Sequence, residues 1–64
     1  MIGVGQVWMD WDIRMRPLQR MIKIVSISGD GQWTACKNLQ TGRITKIRAD
    51  RFKPNSTGYK YVSG

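Results

Sequence analysis

Residues 33–49, Trp33-Thr34-Ala35-Cys36-Lys37-Asn38-Leu39-Gln40-Thr41-Gly42-Arg43-Ile44-Thr45-Lys46-Ile47-Arg48-Ala49, decide the fold. Two runs rich in Trp, Thr and Ile flank a turn that ends in glycine, the pattern of a β-hairpin. A two-residue turn at Thr41-Gly42 would set Lys37 opposite Lys46, Cys36 opposite Ile47 and Ala35 opposite Arg48. Side chains alternate faces along a strand. One face then carries Thr34, Cys36, Asn38, Thr45, Ile47 and Ala49, small and apolar enough for a core. The other carries Trp33, Ala35, Lys37, Lys46 and Arg48. A turn two residues longer keeps these faces.

The rest of the chain reads outward from this hairpin. Residues 20–28 form the strongest strand. Ile22 and Ile24 alternate with Lys23, then the pattern slips at Val25 and Ile27, which predicts a bulge or a strand buried on both faces. Gly29-Asp30-Gly31 joins this strand to residues 32–38 by a tight turn. Residues 4–8 are a short first strand, 9–19 a long loop, 43–49 the fourth strand and 59–62 the last. Residues 50–54 make one helical turn stopped by Pro54, and 55–58 are a loop. Five short strands, a long first loop, two tight hairpins and a helical turn before the last strand are the layout of an all-β, SH3-like barrel. Phe52 and Pro54 are expected to plug it.

Length and composition limit what this barrel can do. The chain has 64 residues, 11 of them Lys or Arg against 4 Asp, and a formal net charge of +7. There is room for a single domain over 1–64, with a marginal core. Cys36 is the only cysteine, so an internal disulfide is excluded and a reducing, cytoplasmic setting is expected. The start has neither the positive region nor the apolar run of a signal peptide, and no segment approaches the ~20 apolar residues of a membrane span. No His and no Glu occur. Enzymatic acid–base or nucleophilic chemistry is therefore not expected, nor is a cofactor or a metal site. Asp10 and Asp12 are expected to pair with Arg14 and Arg16 rather than to hold a cation. Cys36, facing inward, is expected to be a small buried apolar residue.

The basic residues concentrate late: Lys37, Arg43, Lys46, Arg48, Arg51, Lys53 and Lys60 stand against one acid, Asp50. Such a set fits phosphate neutralisation by a surface that binds DNA or RNA. It also fits a merely solubilising surface. Trp33 either stacks outward on a base, with Lys37, Arg43, Lys46, Arg48, Arg51 and Lys53 on phosphates, or covers the barrel end. Trp8 and Trp11, beside Met9, form either a second aromatic patch for a protein partner or lids on the core. Met15 and Met21 are expected to fill the core, the alternative being that with nearby Leu18 they make an adaptable apolar surface for a protein partner.

The segment Thr41-Gly42-Arg43-Ile44-Thr45-Lys46-Ile47-Arg48-Ala49-Asp50-Arg51-Phe52-Lys53-Pro54, with Ser56-Thr57-Gly58-Tyr59 and with Gly5-Gln6-Val7-Trp8 and Asp10-Trp11-Asp12 near the start, resembles a group of small uncharacterised bacterial proteins common in phages and mobile elements. The resemblance implies a small β-fold and a mobile-element setting. In architecture the chain is similar to Tudor, KOW and integrase C-terminal modules, many of which bind nucleic acid, but it lacks the KOW glycine pattern and the Tudor cage spacing. The leading expectation is a non-enzymatic nucleic-acid-binding module of low sequence specificity. The alternative is a protein-interaction module, an inhibitor or adaptor docking on an acidic protein. Either would act as a monomer or a small homo-oligomer.

Overall fold

A computed structural model of the chain describes residues 2–53 and 58–64. The expected plug at Pro54 and most of the loop after it lie outside the described residues. Five antiparallel strands form one sheet: β1 (Val7–Asp10), β2 (Met21–Ile27), β3 (Trp33–Asn38), β4 (Ile44–Arg48) and β5 (Tyr59–Ser63). Their order is β4-β3-β2-β1-β5. The sheet curls as a small SH3-like barrel but does not close, since β4 and β5 are not paired with each other. One 3-10 turn (Arg16–Leu18) lies in the long first loop and another (Ala49–Arg51) precedes β5. No helix of the described residues is long and apolar enough to cross a membrane.

The core is built on the inward face of every strand. Trp8, Ile22, Ile24, Cys36, Ile47 and Phe52 are buried together, with Ile24 and Cys36 at 0% exposure. Phe52 follows the second 3-10 turn and meets the Trp8 ring edge-on at 5.2 Å, while Tyr59 stacks on its other side at 5.4 Å. Such aromatic pairs contribute about 0.5–1.5 kcal/mol beyond the area they bury. Burying the Trp8 indole also removes its N–H from water, and the Gln6 Oε1 accepts that hydrogen at 3.2 Å. The Thr34 hydroxyl, buried beside Cys36, donates to the Ile47 carbonyl at 2.8 Å.

Three local expectations need correction. The first strand begins at Val7, because Gly5 takes φ +94° and kinks the chain, a conformation glycine adopts without steric cost. The Gly5 amide still donates to the Ile24 carbonyl at 2.8 Å. The hairpin between β3 and β4 closes at Asn38 and Arg43, not at Gln40. The Asn38 side chain accepts the amides of Gln40 and Thr41, at 2.8 and 3.1 Å, and stabilises this longer turn. Consequently Lys37 faces Ile44 and Lys46 faces Ala35, while the face assignment of both strands stands. Finally, Met15 and Met21 do not fill the core: Met15 is exposed, as is nearby Leu18 at 55%, and Met21 lies half-buried opposite the outward Met9.

The slip in the β2 pattern is a bulge at Val25: pairing with β3 shifts register between Ile24 and Ser26. Its effect is to return Lys23 to the outward face, directly opposite Lys37.

Candidate nucleic-acid interface

The outward face of the β2-β3-β4 ribbon carries the candidate site. Register places Lys23, Lys37 and Ile44 in one cross-strand row, Ser26, Ala35 and Lys46 in the next, and Trp33 with Arg48 in the third. The basic groups are therefore distributed over three strands and end at a tryptophan. The Lys46 Nζ lies 4.4 Å from the centroid of the half-buried Trp33 ring, and the Arg48 guanidinium lies at 5.5 Å. Arg48 also reaches Asp50 at 3.7 Å. Both partners are well exposed, so that ion pair adds little.

Beside Trp33 runs an open groove of about 440 Å³. Ser26 and Ala35 give it a small-residue lining, with Trp33, Ile44 and Lys46 also bordering it. The short side chains of Ser26 and Ala35 leave room beside the half-buried tryptophan ring. A flat group with a negative charge at its edge matches this combination of ring, groove and ammonium.

Of the residues singled out in the sequence, Trp33, Lys37, Lys46 and Arg48 come together on this face. Arg43, Arg51 and Lys53 do not join them. Arg43 sits at the end of the β3-β4 turn, its amide donating to Thr41 Oγ1 at 3.3 Å, and by alternation it falls on the face of Thr45 and Ile47, opposite to that of Lys46 and Arg48. Arg51 lies on the second 3-10 turn, close enough to Asp12 and Tyr59 to act on both electrostatically. Lys53 follows that turn and is exposed. Lys23 was missing from the expected set. Its alternation with Ile22 and Ile24 marked it as outward, but only the bulge sets it beside Lys37.

The tryptophans near the start separate. Trp8 is 8% exposed and belongs to the core, which removes it from any docking patch. Met9 faces outward between Met21 and Lys60. Trp11 is half-buried past the end of β1. The Arg16 guanidinium lies 4.0 Å from its centroid and the Lys60 Nζ 4.5 Å. Arg16 also donates to the Trp11 carbonyl at 3.0 Å, so it does not pair with the aspartates as expected. Arg14 does: its Nε lies 3.4 Å from Asp12 Oδ1. Asp10 in turn accepts the Asp12 amide at 3.1 Å. Both carboxylates are thus engaged in shaping the loop, and no group of three His, Cys or Asp side chains that could hold a metal occurs among the described residues.

Burial raises the Cys36 thiol above its ordinary pKa. The one Thr34 hydroxyl hydrogen goes to Ile47, so the thiol is the donor across the 3.2 Å Thr34–Cys36 contact. This is the environment of a packing residue, not of a nucleophile.

The protein-family models, curated proteins and solved structures compared with this chain give no match.

Proposed function

We propose that the protein is a non-enzymatic nucleic-acid-binding module of low sequence specificity, acting through the outward face of β2, β3 and β4. The observation that carries this reading is the group of Lys46 and Arg48 around the Trp33 ring beside an open groove. An exposed cation–π contact contributes about 0.5–1 kcal/mol. A base stacked on an aromatic ring contributes about 1–3 kcal/mol. A base can therefore displace the cation from the ring, and the freed ammonium remains within reach of the flanking phosphate. Lys23 and Lys37 are forced together across the β2-β3 pair. Directly opposed like charges disfavour a sheet, and a phosphate seated over them relieves the repulsion. The basic side chains are assigned here to phosphates, which carry no base identity, so little sequence preference is expected.

The test is a fluorescence titration with mixed-sequence DNA and RNA between about 50 and 200 mM salt, the interval over which phosphate contacts weaken strongly. Binding that quenches tryptophan emission and collapses with salt supports the reading. Absence of binding at the lowest salt overturns it.

One observation favours the second reading, a docking module for an acidic protein. The first loop exposes Ile13, Met15 and Leu18 beside Arg14, whose side chain is 83% accessible. A stoichiometric protein complex without affinity for nucleic acid would favour that reading.

A further inference from the structure

We infer that the ligand of the proposed interface is a single strand that runs diagonally across the outward sheet face and is held at a second aromatic station, Trp11. This rests on the nucleic-acid reading above and adds the strand form, the path and a second contact point.

Two half-buried tryptophans carry the same arrangement. Trp33 is flanked by Lys46 and Arg48, and Trp11 by Arg16 and Lys60. They sit at opposite ends of the sheet. Trp33 begins β3, where the Ser28 amide bonds to its carbonyl. Trp11 follows β1 at the far end, where the Asp10 amide bonds to the Arg20 carbonyl. Both share the outward side: Lys60, which faces Met9 across the β1-β5 pair, is the residue that reaches the Trp11 ring. Between the two stations the outward face carries Lys37 on β3, Lys23 on β2 and Val7 and Met9 on β1. The acids near this path are already engaged by Arg14 and by the loop backbone.

The separation sets the ligand. Two strand spacings across and about eight residue rises along the sheet put the rings on the order of 28 Å apart. The molecule is 33 Å in its longest dimension. At a stacked rise of about 3.4 Å, that span corresponds to about eight nucleotides. It lies within the roughly 4–16 nucleotides that a single OB-fold, another small β-barrel, covers. The strand must be single, because stacking on a side-chain ring needs the face of an unpaired base, which a duplex keeps inside its stack.

The experiment compares thymidine oligonucleotides of three and ten residues, and a ten-residue duplex, on the wild-type protein and on Trp33→Leu, Trp11→Leu and Lys60→Glu variants, each checked for folding by circular dichroism. Lys60 is exposed, so its variant keeps the test meaningful if Trp11→Leu loosens the loop. Trp33→Leu is expected to weaken both single strands. Trp11→Leu and Lys60→Glu are expected to weaken the ten-residue strand about tenfold, the loss of one stacked base, and to leave the three-residue strand unchanged. The duplex is expected to bind more weakly than the ten-residue strand. Trp33-dependent binding that ignores both the Trp11 and Lys60 changes overturns the second station alone. Equal or tighter binding of the duplex overturns the single-strand assignment. Failure of every oligonucleotide to bind overturns the proposed function and this inference with it.

Discussion

Lys46 stands directly opposite Ala35 across the β3-β4 pair, with its ammonium 4.4 Å from the Trp33 ring on the neighbouring row. The small alanine leaves the space into which the lysine folds. The same space opens the groove beside the ring. Sheet register, groove and charge thus meet at one point of the outward face.

If that face is the interface, position matters more than total charge. Lys46→Glu and Lys23→Glu change the net charge by the same amount as Arg43→Glu. At about 150 mM salt the screening length is about 8 Å, so the Arg43 change is felt only locally. The two outward reversals are expected to reduce affinity for single-stranded DNA at least tenfold, and Arg43→Glu by less than threefold, in a fluorescence titration at that salt. An equal loss in all three would indicate a diffuse charge effect.

The aspartates predict the behaviour in acid. The Asp12 carboxylate is held below its usual pKa, first by the hydrogen bond from the Arg14 amide and then by the Arg14 side chain. Asp30 is lowered by the Ser28 hydroxyl at 2.6 Å and by the Gln32 amide at 3.0 Å. Both titrate lower when folded than when unfolded. Their contribution is present above the unfolded value of about 3.9 and is lost as pH falls through the lowered folded values. Thermal melts are expected to be flat in this respect above about pH 5 and to fall in Tm below about pH 4. Asp30→Asn is expected to reduce that acid dependence; an unchanged profile would contradict its role in the β2-β3 turn.

Cys36 is expected to resist alkylation. Its 0% exposure and raised pKa leave neither access nor thiolate. A thiol reagent at about pH 8 should label the unfolded chain at the ordinary rate for a thiol of pKa about 8.5 and the native chain at least a hundredfold more slowly. Rapid labelling of the native protein would contradict the packing described for β3.

Much of the fold is legible in the residues themselves. Alternation assigns Cys36, Thr34 and Ile47 to the inside and Trp33, Lys37, Lys46 and Arg48 to the outside, and this survives an incorrect turn length because the error is an even number of residues. The break after Ile24 marks the bulge, and Phe52 reads as core from its place after a helical turn. The site is less legible. Its register depends on the Asn38 side chain capping two amides of the turn, which no hydrophobic pattern reports. Lys23 reaches Lys37 only because Val25 adds a residue; without it Lys37 would meet Ile24. Arg43, Arg51 and Lys53 are close to Lys46 in sequence but lie off its face, since neighbours along a chain that turns twice need not share a surface. The burial of Trp8 and the half-exposure of Trp11, three positions apart, reflect where β1 ends.

The most direct test of the account is an amide and indole chemical-shift map of the isotope-labelled protein titrated with a ten-residue single-stranded DNA at low salt. The account predicts shifts at Lys23, Trp33, Ala35, Lys37, Lys46 and Arg48, a perturbed Trp33 indole, an unperturbed Trp8 indole, and loss of these shifts at about 200 mM salt. Shifts confined to the first loop or to the side of Arg43, or none at low salt, would contradict it.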